Sequence, residues 1–376
     1  MIRLNAQLVV QLLRRSTGAP DADPDGSVWI ESAKSEENRV GYLLMSLLAL
    51  EGYRLSDRHR RELAAFRRQR DRYDTLVTDL RRAVRSLYQI KGVHVQELYP
   101  PGSVRDSNDL DLVVPVAEEM PAAVELLSSC GFEPLLCGVD LTPDGRYAYH
   151  LGMRRTTYVC PERPRPDYVE LANYSLVGSH LVPPSFVDLR DVPSPAFANV
   201  LTTLRERFEQ PYRVRDLIDA ALSLDRLTPT ELDDLACAVV RLRLAPEFAT
   251  LIHALRQARL APALDRLPTV GQSEVARERA RRLRRRTRQI CSPQVVASRW
   301  RGSGRHIWTT EVLSRLLGSR LFSPEPVEYL VRSGLRATGR FAGPDTSEEL
   351  SVLGAIAVTP AGSFRLSTRR NAGLSG

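Results

Sequence analysis

Lysine is almost absent from this chain. Lys34 and Lys91 are the only two among 53 basic residues in 376, so nearly all of the positive charge is arginine. A composition rich in arginine and poor in lysine suggests a GC-rich genome, and the net charge of +8 is therefore only weak evidence for nucleic-acid binding. Because arginine is the usual basic residue in this chain, the lysine at position 91 suggests that a compact point charge is needed there.

Long apolar runs and clustered cysteines are also lacking. No run approaches the roughly 20 apolar residues that span a bilayer, and the first residues show no signal-peptide pattern. We therefore expect a cytoplasmic protein that does not bind membranes. The five cysteines are scattered, with no C-x-x-C pair and no zinc-like spacing, which excludes a disulfide framework and a classical zinc site. We expect reduced, mostly buried thiols.

The apolar pattern predicts an α+β protein with a mixed sheet in its core and helical regions on both sides. The first and third predicted segments are helical, the second contains the sheet, and the last shows two helix-like stretches and a hairpin. That last combination is compatible with a small winged-helix-like module. The four segments run over 1–85, 86–190, 191–290 and 291–376.

Several elements have specific signals. Ser56 is the predicted N-cap of a long amphipathic helix that extends to about Ile90. A hairpin is predicted over residues 132–153, and Thr228 is placed as the cap of a later helix. The arginine run at 277–288 would be charged nearly all round as a helix. A solvated helix or linker is the favoured interpretation there, with a phosphate-tracking surface as the alternative.

The stretch Tyr99–Val114 carries the clearest chemistry. It begins as a turn-rich loop and ends in a strand in which acidic and apolar residues alternate from Asp109 onward. Asp109 and Asp111 share one face of that strand, because side chains alternate along it. Two carboxylates so placed suit Mg²⁺ bound together with substrate phosphates. Ordinary turn chemistry is the competing interpretation for a short acidic motif of this kind.

The loop before this strand has residue types that bind phosphate. Gly102 allows close approach of the backbone to an anion, Ser103 offers a hydroxyl and an N–H, and Arg105 offers a fork of donors. Glu170 lies in the middle of a later predicted strand, at 167–176, beside apolar neighbours. It either reaches the solvated face of the sheet or joins the cation held by Asp109 and Asp111.

With these motifs in order, the chain resembles nucleotidyltransferases of the DNA polymerase β superfamily. More narrowly, it is similar to a bacterial family of uncharacterised nucleotidyltransferases, over about residues 35–225. The resemblance is carried by a Gly-Ser pair, a D-x-D strand, a third carboxylate and three further motifs. In this chain these are Gly102-Ser103, Asp109-x-Asp111, Glu170, Lys91-Gly92, Tyr99-Pro100 and Arg213–Asp219.

The resemblance implies a polymerase β-like core and transfer of a nucleoside monophosphate from an NTP, with release of pyrophosphate. Asp109, Asp111 and Glu170 would hold Mg²⁺ or Mn²⁺, and Glu170 could instead be the base that frees an acceptor hydroxyl. The nucleotide would be bound by Gly102, Ser103, Arg105 and Lys91, although Lys91 is nearly as well explained as a cation at a helix end. Arg213 and Arg215 either line the cleft or form salt bridges between lobes.

Three functions remain open. The leading one is nucleotidyl transfer to a small-molecule or peptide acceptor. The second keeps that chemistry with RNA, such as tRNA, as acceptor, in the manner of toxin-like members of the superfamily, and the arginine run at 277–288 favours it. The third is a non-catalytic protein that binds nucleic acid or a peptide. The presence of all three carboxylates argues against the third.

Overall fold

The computed structural model describes fourteen stretches of the chain. They are residues 3–17, 27–35, 38–107, 109–116, 119–141, 147–155, 167–173, 192–206, 212–260, 270–290, 337–343, 351–353, 356–359 and 362–366. The predicted turn at 142–145 and the two helix-like stretches expected in the last segment lie outside these residues.

Within these stretches the chain forms eleven helices and nine strands. The helices are α1 (Ala6–Thr17), α2 (Ser27–Lys34), α3 (Gly41–Leu50), α4 (Asp57–Ala83), α5 (Val93–Gln96), α6 (Met120–Ser129), α7 (Pro195–Glu206), α8 (Val214–Arg226), α9 (Pro229–Arg241), α10 (Ala245–Ala258) and α11 (Gln272–Ile290). The strands are β1 (Tyr88–Gln89), β2 (Asp109–Val113), β3 (Glu133–Leu141), β4 (Tyr147–Arg155), β5 (Asp167–Ala172), β6 (Ala337–Gly343), β7 (Ser351–Leu353), β8 (Ile356–Thr359) and β9 (Gly362–Leu366).

The described strands form one mixed sheet in the order β1-β2-β5-β4-β3-β6-β9-β8-β7. The pair β2–β5 is parallel, and every other pair in this order is antiparallel. The expected hairpin pairs β3 with β4, and the expected C-terminal hairpin pairs β8 with β9. The mixed α+β class predicted from the sequence is therefore confirmed.

Two hydrophobic clusters lie among the described residues. One is helical and includes residues of α1–α3 and of α7–α10. The other lies where the second half of α4 and helix α6 cover β2, β4 and β5. Helix α4 contributes to both clusters, with Phe66 in the first and Tyr73 in the second. It therefore connects the helical part to the sheet.

Helix α4 begins as predicted and ends earlier. The hydroxyl of Ser56 accepts a hydrogen bond from the His59 N–H, which confirms the predicted N-cap. The helix stops at Ala83 because Val84 is extended and β1 then pairs with β2. The prediction that the helix continues to Ile90 was wrong, since strand pairing prevails over amphipathic spacing in these residues.

A buried carboxylate fixes the far side of the sheet against α4. Asp167, at the start of β5, accepts hydrogen bonds from Gln69 at 2.7 Å and from Arg155 at 2.7 Å. The hydroxyl of Tyr73 bonds to the backbone of Tyr168 at the next position. These contacts fix the position of β5 against α4, and therefore the position of the residues that follow Asp167 in β5.

Smaller expectations have mixed outcomes. Thr228 caps α9 through a reciprocal pair of bonds with Glu231, as predicted. Helix α2 was not predicted. Among the described residues Cys130 and Cys237 are free, and the latter is exposed rather than buried. No helix in the described residues has the length and apolarity that crossing a bilayer requires.

Candidate active site

Three carboxylates meet where β2 and β5 run side by side. In the parallel register Asp111 is the direct partner of Glu170, and Asp109 is the partner of Tyr168. Partners on adjacent strands are about 4.8 Å apart and point to the same face of the sheet. Asp109 shares the face of Asp111 because the two are two residues apart. All three side chains are partly exposed, whereas Leu110 and Leu112 between and after the aspartates are buried in the core.

This face opens into a polar cleft that contains about 630 Å³ not occupied by protein atoms, part of it open to solvent. Five basic and three acidic residues line it, with little apolar surface among them. The full lining is Arg39, Gln89, Ile90, Lys91, Gly92, Arg105, Ser107, Asp109, Asp111, Glu170, Arg213 and Arg215. Five of the seven residues proposed from the sequence, including Lys91 and Arg105, therefore come together.

Gly102 and Ser103 are not among the residues that line this cleft. The Ser103 hydroxyl donates to the Pro100 carbonyl at 2.6 Å, and the Ser103 N–H bonds to the same carbonyl at 3.0 Å. Gly102 adopts a left-handed backbone with φ of 82°, and a side chain there would meet Leu50. In this structure the pair shapes the turn that leads from Tyr99 into β2.

The Lys91-Gly92 corner forms another wall of the cleft. Both residues have left-handed backbones, with φ of 62° and 65°. The preceding Ile90 N–H donates to the Asp111 carbonyl at 3.0 Å, so the corner is anchored to the strand that carries the aspartates. A non-glycine residue held at positive φ is uncommon, and such positions cluster at functional sites.

Arg105 lies at the back of the cleft and is buried. Its guanidinium donates to both oxygens of Asp219 on α8, at 2.6 to 3.0 Å, and Asp219 also accepts from the Tyr99 hydroxyl. Burial alone would raise the pKa of Asp219, but the charge and hydrogen bonds of Arg105 outweigh it and lower that pKa. Burial and the neighbouring Asp219 charge raise the pKa of Tyr99 well above its usual range.

Arg215 occupies a similar position at the start of α8. It is buried, and its guanidinium contacts the carboxylate of Asp216 at 3.1 Å and the Asp106 carbonyl at 3.3 Å. Its backbone N–H donates to the Asn38 carbonyl at 3.1 Å. The start of α8 is thereby joined to the turn that carries Arg39. The sequence left open whether Arg215 lines the cleft or forms salt bridges between lobes. It lines the cleft, and its ion pair is with Asp216 of the same helix.

Arg39, Gln89 and Ser107 line the cleft and were not proposed as site residues from the sequence. Ser107 Oγ donates to the Asp109 carbonyl at 2.9 Å, which fixes the entry into β2. Gln89 belongs to the two-residue strand β1. Arg39 comes from the helical part, about 70 residues before the aspartates, and no local pattern marks it. Its left-handed backbone, with φ of 51°, becomes visible only in the structure.

The chemistry of the donors suits a hard cation. Carboxylate oxygens are the ligands that Mg²⁺ and Mn²⁺ favour, and Mg²⁺ is usually held by one or two carboxylates together with substrate phosphates. Within the described part of the chain, no three His, Cys, Asp or Glu side chains are grouped closely enough to hold a metal by themselves. Asp109, Asp111 and Glu170 are donors of the carboxylate type that such a cation favours.

The chain has no match among protein-family models, curated proteins or solved structures. The functional argument therefore depends on the sequence motifs and on the geometry of the cleft.

Proposed function

We propose that this protein is a metal-dependent nucleotidyltransferase with a polymerase β-like core. It would transfer a nucleoside monophosphate from an NTP to a hydroxyl, or a similar group, of a small-molecule or peptide acceptor and release pyrophosphate. The observation that supports this most directly is the side-by-side pairing of Asp111 with Glu170, with Asp109 on the same face, in a cleft that is otherwise rich in arginine. The scattered cysteines agree with a cytoplasmic site of action.

The charge pattern of the cleft supports the same reaction. Transfer from a triphosphate needs cationic groups around the phosphates and carboxylates near the reacting phosphorus. Asp109, Asp111 and Glu170 would hold Mg²⁺ or Mn²⁺, which when bound neutralises phosphate charge and favours departure of pyrophosphate. Arginines on the other walls would orient the phosphates.

The acceptor reaction needs a proton to be removed. In the proposed reaction the acceptor oxygen forms a bond to the α-phosphorus, and the bond from that phosphorus to the bridging oxygen of pyrophosphate breaks. Glu170, the direct partner of Asp111 in the parallel register, would either accept the acceptor proton or complete the metal site. Both roles require its negative charge.

The test measures pyrophosphate release from each of the four NTPs with Mg²⁺ or Mn²⁺ and pools of small-molecule, peptide and tRNA acceptors. We expect release with the native protein and loss of at least about a hundredfold in Asp111→Asn, because that change removes a metal-binding charge with little change in shape. Asp233→Asn, an exposed aspartate on α9, is the matched control. Equal release by the native protein and Asp111→Asn, or no release with any nucleotide, would contradict the proposal.

RNA as the acceptor remains the second candidate because of helix α11. Its nineteen residues include eight arginines and only two glutamates, and its first part packs near α10. A helix with this excess of positive charge would attract phosphate backbones, with binding that weakens steeply as salt increases. Transfer of labelled nucleotide to tRNA in preference to the other pools would favour this candidate.

A further inference from the structure

The basic residues around the cleft fall into two groups. Arg105 and Arg215 are buried, at 4% and 6% exposed, and each is fixed by a carboxylate on α8. Arg39, Arg213 and Lys91 are partly exposed at the mouth of the cleft. Because the second group is partly exposed, an anion that enters the cleft from solvent can contact its side chains directly.

Two helix N-termini beside the cleft, those of α3 and α8, already have anionic partners. The carboxylate of Asp106 accepts from the Tyr42 and Leu43 N–H groups in the first turn of α3, at 3.2 and 2.8 Å. At the start of α8, Asp216 accepts from the Arg213 N–H at 3.0 Å. A phosphate at either helix end would have to displace a carboxylate. Recognition of phosphate on this side therefore depends on side chains rather than on helix ends.

Hydrogen bonds join the turn that carries Arg39 to the start of α8, where Arg213 lies. The Arg215 N–H bonds to the Asn38 carbonyl, and the Arg215 side chain bonds to the Asp106 carbonyl, so the turn before α3 and the start of α8 meet. Arg39 also has a left-handed backbone, with φ of 51°, which costs free energy in a residue other than glycine. A cost of this kind is consistent with a functional requirement for the position of the side chain.

We infer that Arg39 and Arg213, which both line the cleft, form a polyphosphate clamp and bind the β- and γ-phosphates that leave as pyrophosphate. This inference rests on the proposed function, because it takes the ligand to be a nucleoside triphosphate. It adds a contribution from the N-terminal helical part to the binding of the leaving group. Lys91 lines the same cleft, on the corner anchored to β2.

The test is the affinity of the full-length protein for inorganic tripolyphosphate, measured by titration calorimetry in EDTA and again in excess Mg²⁺. Arg39→Gly removes the guanidinium and also suits the left-handed backbone, so it does not add strain. Arg259→Gly is the matched control. Arg259 is an exposed arginine with φ of 55° at the end of α10, and it does not line the cleft.

We expect Arg39→Gly and Arg213→Ala each to weaken tripolyphosphate binding by about tenfold or more, the usual effect of losing a charge-assisted hydrogen bond. Arg259→Gly should bind like the native protein. Affinity of Arg39→Gly within twofold of the native value would overturn the inference, as would an equal loss in Arg259→Gly or no binding by the native protein in either buffer.

Failure of the clamp can be told apart from failure of the proposed function. If Asp111→Asn loses pyrophosphate release and Arg39→Gly binds tripolyphosphate like the native protein, the proposed transferase activity is supported and the clamp is excluded. Loss of binding in Arg39→Gly with Asp111→Asn as active as the native protein would leave a polyphosphate site and exclude the transferase.

Discussion

Arg105 and Asp219 form a buried ion pair that joins the loop before β2 to helix α8. The closest contact is 2.6 Å, and the two side chains are only 4% and 3% exposed. Tyr99, from the same loop, donates its hydroxyl to Asp219 as well. The pair thus connects the loop that leads to the aspartates with the helix that begins at Arg213. The two walls of the cleft depend on this connection for their relative position.

Asp219→Asn should destabilise the fold by about 3–5 kcal/mol, because it leaves the Arg105 charge buried without its anionic partner. The measurement is the free energy of unfolding in urea. Asp233→Asn on α9, at an exposed position, should change it by no more than about 0.5 kcal/mol. The double replacement Arg105→Met with Asp219→Leu should recover part of the loss, since apolar pairs often substitute for buried ion pairs. A stability of Asp219→Asn equal to that of the control would show that the pair is not structurally important.

Tyr99→Phe should lower the free energy of unfolding by about 1–3 kcal/mol, since it removes one of the donors to Asp219 and leaves the ring in place. Tyr53→Phe is the matched control, because Tyr53 is 62% exposed. A pH titration of tyrosine absorbance adds a second measurement. The raised pKa of Tyr99 means that its ionisation should be missing from the titration of the folded native protein near pH 10, where exposed tyrosines ionise. Ionisation of every tyrosine in that range would contradict the assignment.

Acid should weaken the attachment of β5 to α4. Burial alone would raise the pKa of Asp167, but hydrogen bonds from Arg155 and Gln69 and the charge of Arg72 lower it overall. A carboxyl group with a lowered folded pKa stabilises the fold above its unfolded pKa, and this contribution is lost as pH falls through the folded pKa. The loss should therefore begin below about pH 4, where an unfolded aspartate takes up a proton.

The measurement is the unfolding midpoint between pH 2.5 and 7 for the native protein and for Asp167→Asn. The variant should be less stable at pH 7, and its deficit should shrink below about pH 4 as the native carboxylate is protonated. Asp219 contributes in the same direction and is present in both proteins, so it does not account for the difference between them. A deficit that stays constant down to pH 2.5 would show that Asp167 has no lowered pKa.

The parts of the structure that were predicted correctly depend on residues close together in the sequence. The caps at Ser56 and Thr228 depend on residues three positions apart, and both are confirmed. The alternation around Asp109 and Asp111 depends on neighbours within one strand, and it placed both side chains in the cleft. The local pattern around Glu170 does not by itself place this residue beside the aspartates. The parallel register of β2 and β5 does so, because it pairs Glu170 with Asp111.

Features that depend on distant residues were not predictable from the sequence. The ion pair of Arg105 joins positions 114 residues apart, so the residue type suggested a phosphate ligand while the fold provides Asp219. Arg39 lines the cleft next to a long-range contact, the hydrogen bond from the Arg215 N–H on α8 to the Asn38 carbonyl. The early end of α4 has the same origin, since β1 leaves the helical pattern to pair with β2. In each case a long-range contact decides between locally plausible structures.

Gly92→Ala should impair the cleft more than it impairs the fold. Gly92 has φ of 65°, and a Cβ there would lie 1.8 Å from the Gln89 amide nitrogen, so the Gln89 side chain must move. Gln89 and Gly92 both line the cleft next to Lys91. We expect weaker binding of tripolyphosphate and slower release of pyrophosphate, together with a strain of about 1–2 kcal/mol from the left-handed backbone. Calorimetric titration and urea unfolding measure the two effects separately.

Gly52→Ala is the control that separates the effect of backbone strain from the effect of displacing the Gln89 side chain. Gly52 has φ of 86°, but nothing lies within 4 Å of the position of its Cβ, and it is not part of the cleft lining. It should lose a similar amount of stability from backbone strain and keep the native affinity for tripolyphosphate. Equal affinities in the two alanine variants would mean that the Lys91-Gly92 corner does not shape the anion site. A selective loss of tripolyphosphate affinity in Gly92→Ala would instead show that the Lys91-Gly92 corner shapes the anion site.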